Sequence, residues 1–399
     1  MVKPRTAELV LVTSDGHPAG NLSAVPVATP WWQDIAPVVR AARDSHGVDV
    51  TILRLLEAEL DEPPGGRVTY LAEVTAGVRA RPWAGHLDEH SLRHAFARPG
   101  GPAADLAWAR ARLAEHGLRP AAPPEQVRTW NLSSLWRLPV DGQSVWLKVV
   151  PQFFAHEGSL LSLMNGARVP TVLGHDGGRM LLAEIAGEDL YGAALPQLCS
   201  MVDLLVDLQR PRSERVAELL ALGLPDWRAP ALSAAIASVV DRTRDELSTE
   251  DCTALAEFVR GLGCRFDEVT ACGLPESLVH GDFHPGNLRG DGQALTLLDW
   301  GDSGVGHPLL DLTAFLASIP ADVVDPVRTH WLQRWREALP SSNPVRASAL
   351  LAPIAAARQA VIYRKFLDNI EPSEHPYHRA DPARWLGRTA ALLRAEAAL

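Results

Sequence analysis

The chain has 399 residues, and its composition is that of a folded protein with more than one domain. At roughly 100–200 residues per domain, this length predicts two or three domains. Apolar residues make up 47% and charged residues 22% of the chain, which argues against a disordered or coiled-coil protein. Acidic residues (48) outnumber lysine and arginine (38), and the formal net charge of -10 argues against a nucleic-acid partner, which would require a basic face.

The cysteines and the apolar segments indicate the cellular compartment. No apolar run approaches the roughly 20 residues that a bilayer requires, and the N-terminus lacks the pattern of a secretory signal. The four cysteines are scattered without CxxC spacing, which favours reduced thiols over a zinc site or a disulfide framework. We therefore expect a soluble cytoplasmic protein with no membrane partner. These cysteines are Cys199, Cys252, Cys264 and Cys272.

The first part of the chain mixes predicted strands and helices. Strands are predicted at 7–13, 48–56 and 67–74, and helices at 34–46 and 102–117. Gly47 follows the first helix as a C-cap, since glycine adopts the left-handed conformation that ends many helices. The mixture predicts a small α/β domain over residues 1–118.

A proline-rich segment at 119–125 predicts a linker, because proline can neither continue a helix nor donate to a sheet. After it, strands are predicted at 126–130, 135–138, 144–149, 172–173 and 179–185, and a helix at 154–164. Asp141-Gly142 predicts a tight turn between two of these strands. From residue 189 onward helical patterns dominate, except near 280–300. The order predicts an α+β fold with a β-rich lobe at 126–187 and a helical lobe at 188–399.

Two polar motifs interrupt the helical lobe and indicate phosphoryl-transfer chemistry. The first is His280-Gly281-Asp282 with Asn287 five residues after the aspartate, and the second begins at Asp299 after a short apolar strand. Phosphoryl transfer requires a carboxylate that accepts or orients the proton of the attacking hydroxyl. It also requires oxygen ligands for the Mg²⁺ that bridges the nucleotide phosphates. The order H-x-D-x4-N followed by D-x-G is that of protein kinases.

The segments HGDFHPGN and DWGDSGVGHPLLDL closely resemble the aminoglycoside phosphotransferase and choline kinase-like family of small-molecule kinases. This resemblance implies a bilobal, protein-kinase-like fold with ATP and Mg²⁺ as cofactors. It assigns Asp282 as the catalytic base and Asn287 and Asp299 as magnesium ligands. By the same resemblance, His280 holds the loop and Asp311 supports it. The resemblance covers about residues 126–370.

Two residues distinguish these motifs from those of protein kinases, and two others have open roles. Gly281 and Trp300 stand where protein kinases usually have arginine and phenylalanine, which indicates the small-molecule branch.

His284 is interpreted either as a loop-stabilising residue or as a contact to substrate or phosphate. Asp302 is interpreted either as a solvated carboxylate or as a residue at the mouth of the cleft.

The β-rich lobe is expected to bind the nucleotide. Lys148 alternates with apolar residues on a predicted strand, and a lysine in that setting requires a partner because burial of an unpaired ammonium is costly. Glu157, on the following predicted helix, is the natural partner. The resemblance implies that Lys148 contacts the α- and β-phosphates and that Glu157 positions it.

Two further segments of this lobe are nucleotide-binding candidates. The connection that contains Ser133 and Ser134 is expected to lie over the phosphates, although it lacks the glycines of the protein-kinase loop. Backbone N–H groups and hydroxyls can contact phosphate without glycine. Glu184 and Ile185, at the end of the last strand of the lobe, resemble the hinge whose backbone pairs with adenine.

The N-terminal domain resembles a degenerate Nudix domain in its segment 38–48 and the strand that follows. The four glutamate positions of the Nudix box are occupied here by Trp32, Ala41, Asp44 and Ser45. Since a single carboxylate survives, hydrolysis of diphosphates is not expected. An ordinary α/β appendage is the alternative, and a Nudix-like fold would act in assembly or in gating of substrate.

Three functions compete at this stage. The first is an ATP- and Mg²⁺-dependent kinase for a hydroxyl of a small molecule, the second a catalytically silent nucleotide-binding protein, and the third a diphosphate hydrolase in the first domain. Lys148, Asp282, Asn287 and Asp299 are all present, which favours the first. The resemblance implies acceptors such as aminoglycosides, other antibiotics, choline, homoserine or sugars. Residues 358–377 are expected to form one wall of the acceptor pocket, and the oligomeric state is left open.

Overall fold

The computed structural model describes residues 3–75, 77–290 and 294–397. The chain forms two compact units, and each unit combines separate stretches of sequence. The first unit comprises Met1–Gly158, Val172–Glu184 and Lys365–Ala380. The second comprises Ser159–Thr171, Ile185–Arg364 and Asp381–Leu399.

The first unit begins with a twisted sheet and one helix. Its elements are β1 (Arg5–Val12), β2 (Pro18–Val27), α1 (Ala36–His46), β3 (Thr51–Ala58) and β4 (Gly66–Glu73). The strand order is β2-β1-β4-β3, with β1 and β4 parallel and the other pairs antiparallel. The predicted strands and helix are all present, and Gly47 caps α1 with a φ of 67°. Strand β2 was not predicted because it contains two prolines, which a sheet accepts on an edge strand such as this one.

A second sheet follows within the same unit. The elements of this part of the chain are α2 (Gly101–Glu115), β5 (Glu125–Trp130), β6 (Ser133–Val140), β7 (Gln143–Val149), α3 (His156–Leu163), β8 (Val172–Asp176) and β9 (Arg179–Ala183). Helix α3 begins in the first unit and belongs to the second from Ser159 onward. The strands are antiparallel in the order β5-β6-β7-β9-β8. Helix α2 buries Ala109 and Leu113 against one face of the sheet, beside Trp136 and Leu147. The predicted turn is present, and Gly142 has a φ of 74°.

The two sheets of the first unit are joined by buried polar contacts. The Gln126 side chain of β5 accepts from the Ile52 N–H and donates to the Ile52 carbonyl of β3, at 2.8 and 2.7 Å. Residues from the end of the chain also pack here: Glu374 accepts from the Leu55 N–H at 2.8 Å, and the Tyr377 ring lies 5.5 Å from that of Trp32. The N-terminal sheet and the second sheet therefore belong to one compact unit, and a domain boundary at 119–125 remains a prediction from the sequence.

The second unit is mostly helical, as the sequence predicted. Its elements are β10 (Glu188–Asp189), α4 (Leu195–Gln209), α5 (Val216–Ala221), α6 (Ala229–Arg242), α7 (Thr249–Ala271), β11 (Ser277–Val279), β12 (Leu288–Gly290), β13 (Leu295–Leu297), β14 (Gly304–Gly306), α8 (Leu312–Ala317), α9 (Val324–Ala338), α10 (Pro344–Asn369) and α11 (Asp381–Ala397). The short strands form two small sheets, β10-β12-β13 and β11-β14. Apart from β10, these strands lie within or next to the interruption that the sequence predicted near 280–300.

Helix α10 is the most apolar long helix of the described residues. Its length of 26 residues and its hydropathy would suffice to cross a membrane, but 61% of its apolar window is buried inside the protein. That burial is typical of a core helix. Its first part, up to Arg364, belongs to the second unit, and its last turn belongs to the first.

Candidate active site

The two small sheets of the second unit bring the predicted motifs together. Strand β11, which leads into His280, pairs with β14, which follows the second motif. Strands β12 and β13 pair as well, and the Leu298 N–H donates to the Asn287 carbonyl at 2.8 Å. Asn287 therefore lies beside the residue that precedes Asp299. The sheets place two loops side by side although about 15 residues separate them in sequence.

The buried carboxylate of Asp311 holds the first loop through hydrogen bonds from the loop backbone. Asp311 is 1% exposed, and its two oxygens accept from the backbone N–H groups of His280 and Gly281 at 2.9 and 2.8 Å. Its Oδ2 also accepts from the Gln209 side chain at 3.4 Å. Charge-assisted hydrogen bonds of this kind are stronger than neutral ones. Asp311 thus fixes the backbone of the loop at His280 and Gly281, and its role in a catalytic site stays a prediction.

His280 links the two loops. Its ring is fully buried, Nε2 donates to the Leu298 carbonyl at 2.8 Å, and Nδ1 accepts from the Asp282 N–H at 3.3 Å. Burial lowers the pKa of His280 despite the opposing charge of Asp311, so the imidazole is neutral and this tautomer satisfies both contacts. The ring also packs against Trp300 at 4.5 Å. His280 thus has a structural role within the loop.

Gly281 has a conformation that only glycine accommodates at this position. Its φ is 95°, and a Cβ atom there would clash with the Asp302 carbonyl oxygen. Other residues are strained at such a φ, and the close approach of the second loop excludes any side chain. Arginine at position 281 is therefore incompatible with the loop conformation of this chain.

The Asp282 carboxylate is half exposed and is held by two side chains. Asn287 Nδ2 donates to the backbone carbonyl of Asp282 at 2.9 Å and to the side-chain Oδ2 of Asp282 at 3.1 Å. His284 Nε2 lies 3.5 Å from the same Oδ2 atom. Partial burial opposes ionisation, but the hydrogen bond and charge of His284, with the hydrogen bond from Asn287, outweigh it and lower the pKa of Asp282. Burial likewise opposes protonation of His284, and the contact with Asp282 outweighs it and raises the pKa of His284.

Asp299 combines an unusual backbone with an oxygen ligand. Among the described residues it is the one non-glycine residue with a positive φ, at 58°. Such conformations cost free energy and tend to occur at functional sites. Within the same described residues, no group of three or more histidine, cysteine, aspartate or glutamate side chains is placed to hold a metal ion. The assignment of Asn287 and Asp299 as magnesium ligands stays a prediction.

Lys148 and Glu157 form the predicted pair in the first unit. Lys148 lies on β7, and its Nζ is 2.8 Å from Oε1 of Glu157 in the first turn of α3. The Glu157 side chain is 2% exposed and that of Lys148 14%. Burial of either charge alone would be costly, so each residue requires the other.

The other nucleotide-binding candidates lie at two ends of the second sheet. Ser133 and Ser134 begin β6; the Ser133 hydroxyl accepts from the Trp130 indole at 3.1 Å, and the buried Ser134 hydroxyl accepts from the Trp136 indole at 3.0 Å. Glu184 follows β9, and its carboxylate accepts from the Trp146 indole at 3.1 Å. One stretch of the first unit ends at Glu184, and the stretch of the second unit that follows begins at Ile185. The role of Glu184 and Ile185 as a hinge stays a prediction.

One exposed aromatic residue near the loop was not predicted. Tyr191 is 71% exposed, and its ring stacks on His284 with centroids 6.0 Å apart. It lies directly on Gly286, where a Cβ atom would clash with the tyrosine ring. The glycine of the sequence Pro-Gly-Asn is the one local signal of this packing, and it does not reveal which residue covers it.

Several solved structures are similar to this chain. A choline kinase from Streptococcus pneumoniae has the same fold, with a TM-score of 0.51, 12% identity, and coverage of 73% of this chain and 99% of that chain. A choline kinase from Cryptosporidium parvum is 10% identical with a TM-score of 0.48, over 74% of this chain and 95% of that chain. A macrolide 2'-phosphotransferase from Brachybacterium faecium is 17% identical with a TM-score of 0.47, over 69% of this chain and 96% of that chain.

The fold is α+β and protein-kinase-like. The model of the phosphotransferase enzyme family matches residues 146–347, which is half of the chain. The chain belongs to this family. A search of curated protein sequences finds no significant match. The matched range includes Lys148 and both motifs, but neither the N-terminal sheet nor the C-terminal part of α10, and the Nudix resemblance remains a prediction.

We predict that Gly281→Ala abolishes activity and destabilises the protein by at least about 2 kcal/mol, because it combines a strained φ with a clash against Asp302. Gly263→Ala is the matched control, since Gly263 lies inside α7 with open space around its Cα. This control should be neutral or slightly stabilising. Urea unfolding of both variants measures the difference, and equal stabilities would contradict the assigned loop conformation.

Proposed function

We propose that the protein transfers the γ-phosphate of ATP to a hydroxyl group of a small molecule in an Mg²⁺-dependent reaction. Membership of the phosphotransferase enzyme family supports the general class. The observation that carries the proposal is the loop held by Asp311, in which the half-exposed Asp282 carboxylate is oriented by Asn287 beside the loop of Asp299.

In this reaction Asp282 acts on the proton of the attacking hydroxyl. Its lowered pKa keeps the carboxylate ionised at neutral pH, so that Asp282 can accept a hydrogen bond from the acceptor and then its proton. The hydrogen bond from Asn287 fixes Oδ2, which leaves Oδ1 for the acceptor. Orientation of the nucleophile is a main contribution that a protein makes to phosphoryl transfer.

Asn287 and Asp299 would hold the magnesium ion. Carboxylate and amide oxygens are the hard ligands that Mg²⁺ prefers, and Asn287 donates through Nδ2 so that its Oδ1 is turned away from Asp282. The residues present therefore fit the ion. When bound, Mg²⁺ neutralises charge on the nucleotide phosphates.

Lys148 would bind the α- and β-phosphates, with Glu157 holding the ammonium in place. Ser133, at the start of β6, is the better placed of the two serines, because the Ser134 hydroxyl is buried. The backbone of Glu184 and Ile185 would pair with the adenine base. His280 and Asp311 would support the loop without contacting substrate.

A silent nucleotide-binding protein is the alternative function. Proteins of that kind lose the lysine, the base or a metal ligand, whereas all of these groups are present here. The ion pair of Lys148 and the hydrogen bond between Asn287 and Asp282 are also formed. These contacts favour the active enzyme.

The proposed acceptor is a polar, cationic compound that carries a hydroxyl group. The reaction is proposed to take place in the cytoplasm. The carboxylates of Asp282, Asp299 and Asp302 lie in one loop system, and a concentration of one sign of charge attracts the opposite sign. The exposed ring of Tyr191 next to His284 offers a surface on which a cation or a sugar ring could pack. A screen of ATP consumption should therefore include amino alcohols, aminoglycosides, other antibiotics and neutral sugars.

We predict that Asp282→Asn lowers kcat by at least about 100-fold while the affinity for Mg·ATP changes little, because asparagine keeps the size of the side chain but cannot accept the proton. Asp241→Asn, which changes an exposed carboxylate on α6, is the control and should behave as the wild type. Steady-state kinetics with the acceptor from the screen measures this, and a kcat within a few-fold of the wild type would exclude Asp282 as the base.

We also predict that Lys148→Ala lowers kcat/KM for ATP by on the order of 100-fold, because a phosphate contact is lost. Lys3→Ala offers a matched control, since Lys3 also pairs with a glutamate, Glu59, but in an exposed position with side chains 53% and 42% accessible. Exposed pairs contribute little, so this control should keep full activity. Equal ATP kinetics in the two variants would show that Lys148 does not bind the nucleotide.

A further inference from the structure

A second residue holds Gly281 from the side opposite to Asp311. Arg358 lies on α10, is fully buried, and its Nη2 donates to the Gly281 carbonyl at 2.8 Å. The neighbouring Gln359 donates to the same oxygen at 3.2 Å. Arg358 lies 77 residues beyond Gly281 in the chain and outside the range 146–347 that the family model matches.

The guanidinium of Arg358 also packs against the ring of Trp227. It lies 5.6 Å from the ring of Trp227, whose backbone N–H donates to the Val305 carbonyl of β14 at 2.7 Å. Gly304 leaves room for the Trp227 ring, because a Cβ atom there would clash with it. Arg358 is therefore held between the Gly281 loop and a residue that is bonded to β14.

The setting of Arg358 is costly for the folded state. Among the described residues, its Nε and Nη1 atoms are buried without a hydrogen-bond partner. Buried polar groups without partners destabilise a protein. The negative charges of Asp311, Asp302 and Asp282 partly offset this cost, and the hydrogen bond to Gly281 directs the guanidinium to the loop.

The contact restrains the peptide group that orients Asp282. The oxygen of this peptide accepts from Arg358 and Gln359, and its nitrogen, that of Asp282, donates to His280 Nδ1. Glycine permits rotation of such a peptide more readily than any other residue. Since the direction of the peptide sets the position of the Asp282 side chain, a loss of the contact on the oxygen would let the carboxylate leave its position beside Asn287.

We propose that Arg358 is a positioning residue, which holds the Gly281–Asp282 peptide group so that the Asp282 carboxylate remains in its catalytic orientation. The proposal rests on the proposed function of Asp282 as the base. Loss of Arg358 should therefore lower kcat, because fewer molecules have the Asp282 carboxylate in place. Nucleotide binding should be nearly unchanged.

The test compares Arg358→Met and Arg358→Lys with a matched control, Arg212→Met. Arg212 is a second buried arginine of the same unit; it donates to the Leu208 carbonyl at 2.7 Å, and its Nε is also without a partner among the described residues. For each full-length variant, kcat and KM for Mg·ATP are measured with the acceptor from the screen, and Tm is measured by scanning calorimetry. Asp282→Asn is included as the inactive reference.

We expect Arg358→Met to lower kcat at least about 10-fold with KM for Mg·ATP within about 3-fold of the wild type, and to keep a Tm near that of Arg212→Met. Arg358→Lys, which retains a charged donor, should give an intermediate kcat. The proposal is overturned if Arg358→Met has wild-type kcat, if Arg212→Met loses as much activity, or if Arg358→Met alone fails to fold. Lack of turnover in the wild type would instead overturn the proposed function, and with it this inference.

Discussion

The carboxylate of Asp311, buried beneath the candidate catalytic loop, is the constraint on which the site depends. Its two oxygens accept from consecutive backbone N–H groups, those of His280 and Gly281, and so define the conformation of the loop that presents Asp282. A buried carboxylate is costly unless it is hydrogen-bonded, so the charge and the loop stabilise each other. The left-handed φ of Gly281 and the approach of the Asp302 backbone follow from this arrangement.

A buried carboxylate also holds a charged group in the first unit. Glu157 is buried as completely as Asp311, and the Lys148 ammonium, 2.8 Å from its Oε1, compensates its charge. Removal of one member of such a pair leaves an uncompensated buried charge, which costs more than the pair contributes. In each unit a buried carboxylate therefore holds a functional group in place, the loop of Asp282 in one and the ammonium of Lys148 in the other.

Much of the site was predictable because its residues lie in short, ordered motifs. The stretch from His280 to Asn287, the aspartate after a short strand and the lysine on an alternating strand each have a local pattern, and the structure brings the two motifs together as expected. Strand β2 was missed because its prolines favour a loop until an edge position in a sheet is known. Tyr191 and Arg358 were not assigned to the loop, because their contacts join residues 77 or more positions apart and leave no periodic signal. The packing of residues 371–377 on the N-terminal sheet is unpredictable for the same reason.

The most direct test follows the transferred phosphoryl group itself. The wild-type protein is incubated with Mg²⁺ and ATP whose γ-phosphate oxygens are labelled with oxygen-18, together with the acceptor found in the screen, and the products are analysed by high-resolution mass spectrometry. Direct transfer to a hydroxyl predicts an acceptor that carries a phosphoryl group with three labelled oxygens, while the oxygen that joins it to the acceptor is unlabelled. Labelled inorganic phosphate as the sole product, or a phosphorylated acceptor without the label, would contradict phosphoryl transfer from ATP to the acceptor.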